Sequence, residues 1–374
     1  MTKIVCKNCV MDTTDPNILF NDDGECIYCL NFKKKIYPHW KKIKNKKNED
    51  EVKSAIISNE NSNHNCIIGV SGGVDSSYLL HYAVKTLKLK PLVFHVDGGW
   101  NSKLAVENIE KIISKLNLNL HTEVIYWPEM RDLQLSFFKA NVPHLDTPQD
   151  HAFFASMYNY TAKNNIKFIL NGGNYSTECI REPLLWHYHA SDAYHLKQIH
   201  KIYGSRPLLK FPISDIFKYK IYYKYFKGIQ VIQPLNFIDY KKESAKKILK
   251  EEYNWTEYSH KHYESRFTKF YEGYWLPKKF GYDKRKAHFS SLILTGQMNR
   301  GDALAQLKKL PISEDEGIKE MKFVADKLNI TYKEMQDFFS SQNNSFHNFR
   351  SNFFLINFFT FLSRVIGLEK RIIH

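Results

Sequence analysis

The chain has 374 residues, 43% of them hydrophobic, with Gly and Pro at ordinary levels. That is a globular composition, long enough for one large domain or two, and it holds no run of 18 apolar residues that could span a membrane. The formal charge of +15 points to an anionic partner such as a nucleotide, an acidic sugar, RNA or an anionic membrane. A solvated basic surface accounts for it equally well.

The opening stretch, MTKIVCKNCV, lacks the apolar core of a signal peptide, so a cytoplasmic location is expected. Cys6, Cys9, Cys26 and Cys29 follow as C-x2-C-x16-C-x2-C, the spacing of two knuckles that offer four thiolates to one tetrahedral zinc ion. Asp22-Asp23-Gly24 supplies a turn for a hairpin between them. A segment this small cannot build its own core, so residues 1–32 read as a zinc ribbon held by a structural metal. Eight lysines between Lys33 and Lys47, with no acid among them, mark residues 33–65 as a basic linker, helical in part.

From Cys66 the pattern alternates. CIIGV suits a buried strand, and Leu79, Leu80, Ala83, Val84 and Leu87 recur at helical spacing after it. PLVFHVD (91–97) reads as a second strand, 102–116 as an amphipathic helix and 121–127 as a third strand. Residues 150–165 read as another helix, and 167–174 as a fourth strand with a glycine turn. This alternation predicts an α/β fold, a doubly wound parallel sheet, over residues 66–185. Residues 186–374 read as a mostly helical substrate-binding region and tail, clearest at 240–255, 284–297 and 300–310. FFLINFFTFLSRVIGL (353–368) is too short to span a membrane and reads as a packed C-terminal helix, with peripheral membrane contact as the alternative.

Between the first strand and its helix stands Ser71-Gly72-Gly73-Val74-Asp75-Ser76-Ser77. Glycines let backbone N–H groups approach an anion, and a helix N-terminus adds positive potential. The loop has no lysine to reach the β- and γ-phosphates. Its donors suit a pyrophosphate that is held and then leaves, so that attack falls on the α-phosphorus of ATP. The other strand ends carry Asp97-Gly98-Gly99 and Asn171-Gly172-Gly173. Ligands of such sheets sit at the carboxyl ends of the strands.

SGGVDS resembles the signature of the PP-loop ATP pyrophosphatases, whose fold is of the adenine-nucleotide α-hydrolase type. The knuckles, HVDGGWNS, PQDHAFFASMYNYTAKNNIKFILNGGNYSTE and KFGYDKRKAHFSSLILTGQMNR together resemble the N-acetyl sugar amidotransferases of bacterial surface-sugar biosynthesis. The resemblance runs from the ribbon to about residue 310. It implies conversion of an N-acetyl group on a pseudaminic, legionaminic or acetamidino-mannuronic sugar to an acetamidino group. The substrate would be an N-acetylated acidic sugar or its nucleotide-sugar, and no nucleic acid is expected.

On this reading Ser71, Gly72, Gly73, Ser76 and Ser77 hold pyrophosphate, and Asp75 fixes the loop or holds Mg²⁺. Asp97, Gly172 and Gly173 lie near the nucleotide. Glu178, His187, His189 and Asp192 are candidates for proton transfer, with Arg181, Lys284, Arg285 and His288 as substrate-binding candidates. Cys179 lacks the flanking glycines of a glutaminase elbow. By resemblance, ammonia is expected from a separate glutaminase of the histidine-biosynthesis type with its barrel partner. The rival readings are a tRNA-thiolating PP-loop enzyme and a non-enzymatic zinc-ribbon module that binds nucleic acid. The first needs sulfur-carrying cysteines, yet only Cys66 and Cys179 lie outside the ribbon.

Overall fold

The computed structural model describes residues 3–58, 64–258 and 263–366. Five strands form one sheet: β1 (Cys66–Gly69), β2 (Pro91–Asp97), β3 (Leu120–Val124), β4 (Phe168–Leu170) and β5 (Gln230–Ile232). Their order is β3-β2-β1-β4-β5, and every neighbouring pair is parallel. The chain winds outward from β1 in both directions, so β1 and β4 flank the point where the winding reverses.

The inner strands β1, β2 and β4 read as continuous apolar runs because both faces are covered. Alternation then sorts their side chains. Ile67, Phe94, Val96 and Ile169 join one core, while Cys66, Ile68, Val93 and Leu170 join the other. The second core is closed by Leu79, Ile109, Ile112 and Leu249, from the helices Val74–His81, Lys103–Leu116 and Lys242–Tyr253. The first is closed by the helices Trp127–Lys139, Thr147–Lys163 and Ala193–Tyr203, and by the aromatic segment Arg266–Phe280. Phe267, Phe270, Tyr271 and Trp275 of that segment are core residues.

Local chemistry sets the element ends. Ser102 Oγ accepts the Ala105 N–H at 3.1 Å to start the helix Lys103–Leu116, and Asn117 ends it at φ +51°. The short edge strand β5 lies in the stretch expected to be helical. Its three residues show no alternation to reveal it, and it exists through pairing with β4.

The stretch read as a linker is helical over Tyr37–Ile43 and Lys46–Ile57, and the ribbon before it already ends in the short helix Ile27–Asn31. Trp40 Nε1 donates to the Asn236 carbonyl at 3.2 Å, and Ile56 is fully buried. The ribbon folds back on itself through antiparallel bridges at Val5–Asp12 and Phe20–Cys26. It is seated on the helix Arg285–Leu294. Ser290 Oγ accepts the Val10 N–H, Lys286 pairs with Asp12 at 2.9 Å, and Arg300 donates to the carbonyls of Cys6 and Cys9.

The helix Phe353–Val365 departs from the packed helix expected there. Ile356 is buried, but Phe354, Phe358, Phe361, Leu362 and Val365 face outward. Residues 367 and 368 of that expectation lie outside the described residues. Among the described residues no helix is long and apolar enough to cross a membrane.

Candidate active site

The loop after β1 sits at the reversal point. Gly72 takes φ +83°, a conformation that costs a residue with a side chain, and a Cβ there would lie 2.7 Å from the Ala105 carbonyl oxygen. The loop is held from outside by Trp255, whose Nε1 donates to the Gly72 carbonyl at 2.9 Å, and by Tyr258, whose hydroxyl donates to the same oxygen at 3.3 Å. Within it, Ser71 Oγ accepts the Gly73 N–H, and Ser76 Oγ accepts the Ser71 N–H, each at 3.3 Å. Ser77 is buried behind them. A Cβ on Gly73 would run into the Glu264 carboxylate, so an acidic side chain faces the anion cradle.

Asp75 opens the following helix and accepts a hydrogen bond from the Tyr240 hydroxyl at 2.5 Å. Burial and the Asp75 charge keep that phenol protonated. The turn after β4 abuts the loop: a Cβ on Gly172 would lie 3.1 Å from the Asp75 backbone. Gly173 donates its N–H to Asn171 Oδ1 at 2.6 Å. Asp97, at the end of β2, accepts the Gly99 N–H at 2.8 Å and the Asn101 amide at 3.1 Å.

From Gly173 the chain enters the short helix Tyr175–Glu178, and there a cavity of about 580 Å³ begins. Thr177, Glu178, Arg181, His187 and His189 line one side, while Lys284, Arg285 and His288 line another. Burial, aided by the Arg181 charge, lowers His189 to about 4, so the imidazole is neutral near pH 7. His288 Nδ1 lies 3.2 Å from the Thr177 carbonyl, and its Nε2 lies 3.4 Å from Lys242 Nζ. The carbonyl therefore takes an Nδ1 proton, and Nε2 is left to accept from the ammonium.

Three expectations are altered by the surroundings. Asp192 is fully buried away from the cavity lining. It accepts the Tyr188 hydroxyl at 2.8 Å, the N–H groups of Tyr194 and His195, and the Asn352 N–H, which makes it a helix cap rather than a proton-transfer group. Arg285 is locked onto Asp283 at 2.7 Å and onto the carbonyls of Gln306 and Lys309. Lys284 bridges Glu272 at 2.7 Å and Glu182 at 3.0 Å. Burial opposes its charge, but those carboxylates outweigh burial and hold the ammonium well above its usual range. Both cations shape the wall before any substrate arrives.

Sequence reasoning did not single out Asp150, Glu182 and Glu272. Asp150 lies 3.7 Å from His187 Nε2. Its side chain is 31% accessible to cavity water, yet protein surrounds it. Burial pushes its carboxyl up to about 7; Lys284 pulls it down, while Glu272 and Glu182 add to the rise. It stands in the quoted stretch PQDHAFF, but one acid on an otherwise packed helix carries no local signal. Only the crossing of three separate segments makes the cluster.

The four ribbon cysteines are buried, with ligand atoms all within 4.8 Å of one another. Sγ–Sγ distances are 3.8 Å for Cys6–Cys29, 3.6 Å for Cys9–Cys26 and 3.6 Å for Cys26–Cys29. A tetrahedron with metal–sulfur bonds of about 2.3 Å has an edge of about 3.8 Å, so the four thiols fit one ion. Cys66 and Cys179 are buried elsewhere.

Two stretches of the chain match known families. Residues 65–129 match the phosphoadenosine phosphosulfate reductase domain, and residues 264–363 match the C-terminal domain of WbpG-like LPS biosynthesis proteins. An uncharacterized protein of Methanocaldococcus jannaschii is 31% identical over 123 residues, which span 32% of this chain and 40% of that relative's length. An NH3-dependent NAD synthetase from Campylobacter jejuni shares 21% identity, with a TM-score of 0.28 over 57% of this chain and 84% of its own. An NMN synthetase from Francisella tularensis shares 14% identity, with a TM-score of 0.30 over 79% and 98%.

Proposed function

From a chain that joins a PP-loop domain to a WbpG-like LPS biosynthesis domain, we propose an ATP-dependent amidotransferase that turns an N-acetyl group of a bacterial surface sugar into an acetamidino group. One observation carries this reading. The lysine-free glycine loop and the 580 Å³ cavity meet at one short turn, Gly172 to Glu178, so a nucleotide α-phosphorus and a sugar-sized substrate could be neighbours.

The chemistry balances as follows. The amide oxygen attacks the α-phosphorus, the bond to the β-phosphate bridge breaks, and pyrophosphate leaves onto the loop. Ammonia adds to the imidate carbon, the carbon–oxygen bond breaks, and AMP departs with the oxygen and leaves an amidine. Splitting one difficult displacement into two follows the logic of covalent activation. Ser71, Ser76 and the glycine N–H groups would hold the leaving pyrophosphate. Asp75 would hold a magnesium ion, which would neutralise phosphate charge. Glu178, His187 and Asp150 face the cavity and would take the protons ammonia sheds. The ribbon would carry structural zinc. The ammonia would come from a glutaminase of the histidine-biosynthesis type, and the sugar would be acidic.

The test is product analysis. Purified chain with ATP, Mg²⁺, ammonium and a panel of N-acetylated acidic sugars should yield a product lighter by about one mass unit, with AMP and pyrophosphate. ADP and phosphate would refute the reading of the loop, and sulfur transfer to tRNA would replace the reaction class.

A further inference from the structure

Two helices leave apolar side chains in water beside the cavity. The first, Lys218–Phe226, exposes Tyr222, Tyr225 and Phe226, the last at 77%. The second, Phe353–Val365, exposes Phe354 at 86%, then Phe358, Phe361 and Val365. Their spacing of four, three and four residues sets them in one stripe along the helix. Both helices begin at the cavity wall. Tyr219 of the first lines the cavity, and Phe353 of the second packs on the cluster of Leu184, Tyr188 and Phe346, of which Leu184 also lines it.

Charge selects the occupant. Between Asp215 and Asp239 the chain carries four lysines and no acid; between Asp337 and Glu369 it carries Arg350 and Arg364 and no acid. Lys218, Lys224 and Lys227 form no ion pair with the described residues, while Lys224 lies 5.1 Å over the Tyr225 ring and Lys227 lies 5.9 Å over the Tyr222 ring. Protein interfaces are depleted in lysine. Aromatic rings interleaved with lysines are instead what the headgroup region of an anionic bilayer takes up, rings at the acyl boundary and ammonium groups at the phosphates.

We infer that the chain docks on an anionic membrane surface through the exposed faces of Lys218–Phe226 and Phe353–Val365, with its cavity facing the lipid headgroups. This rests on the surface alone and stands whether or not the cavity holds a sugar.

The experiment is flotation of the full chain with vesicles of phosphatidylcholine alone or with about one third phosphatidylglycerol. Binding to the anionic vesicles should exceed binding to the neutral ones at least tenfold and fall with salt. Lys224→Ala should weaken it roughly fivefold, from about 1 kcal/mol per surface lysine. Phe226→Ser and Phe361→Ser should each weaken it by several-fold, with unchanged melting temperature because both side chains already face water. Equal or absent binding to both vesicle types overturns the inference. So does loss with Lys224→Ala but none with either phenylalanine variant, which would mean adsorption of charge alone. Self-association in light scattering that both serine variants abolish, without vesicle binding, would assign the faces to a second copy and also overturn it.

Discussion

Replacing Lys284 by Met removes the one ammonium that bridges Glu272 and Glu182 at 2.7 and 3.0 Å. At an effective dielectric of about 20 each contact is worth roughly 6 kcal/mol of gross attraction. Desolvation of three charged groups offsets most of that, and the measurable effect is the penalty of stranding the carboxylates. Breaking a buried pair by removing one partner costs about 3–5 kcal/mol. Lys284 is 10% and Glu182 is 26% exposed, so cavity water screens the second contact and about 3 kcal/mol is expected near pH 8.

The pH dependence gives the reasoning its sharper test. The Lys284 ammonium is held above its ordinary pKa, so it stays charged from pH 5 to 8 and its own titration adds no pH dependence there. Asp150 has its folded value raised to about 7. The unfolded chain releases that proton near pH 4, so folded stability falls as pH climbs from about 4 to 7. Lys284 pulls the Asp150 carboxyl down, so its loss raises that carboxyl further and steepens the fall. The variant's deficit should therefore be about 3 kcal/mol at pH 8, a melting temperature lower by roughly 4 °C, and should shrink to about 1 kcal/mol at pH 5. The assay is thermal unfolding of both proteins at half-unit pH steps. A deficit that does not change with pH, or one below about 1 kcal/mol at pH 8, would refute the account.

Gly72→Ala forces a side chain into φ +83° and to within 2.7 Å of the Ala105 carbonyl; about 2–4 kcal/mol of stability should be lost, with at least tenfold weaker ATP binding by calorimetry. Cys26→Ser should reduce zinc, measured by mass spectrometry of the purified chain, from about one equivalent to near none. It should also make the ribbon sensitive to proteolysis while residues 66 onward stay protected. His189 should not titrate between pH 5 and 8 in carbon-detected NMR, since burial and Arg181 hold it near 4. Because its folded value lies below the unfolded one, it should add a stability gain as pH rises from about 4 to 6.5.

The parts of this protein legible in its sequence are those whose physics is local. The knuckle spacing, the glycine loop and the short apolar runs of β1 and β2 each fit within about ten residues or repeat a fixed offset, and the sheet and thiol cluster follow from them. β5 was illegible because three residues hold it only by pairing with β4. The cavity was half legible. His187, His189 and His288 stand out by residue type and do line it, whereas Asp150 and Glu272 are ordinary acids until the helices carrying them meet. Asp192 and Arg285 show the converse: both are charged and lie near motifs, and both have their hydrogen-bonding capacity taken up by the backbone and side chains that position them.

The seat of the ribbon sets an order of assembly. The four cysteines are complete by residue 29, so a nascent chain can close around a metal early. The ribbon's seat arrives much later: Val10 waits for Ser290, 280 residues along the chain, and Cys6 waits for Arg300, 294 residues along. At translation speeds of about 5–20 residues per second, that interval is roughly 15–60 s. Closing so long a loop costs little more than closing one half its length. Closure of the thiol cluster and completion of the cavity wall are therefore separate events in the life of each molecule, and the wall that carries Lys284 and His288 is among the last parts to be fixed.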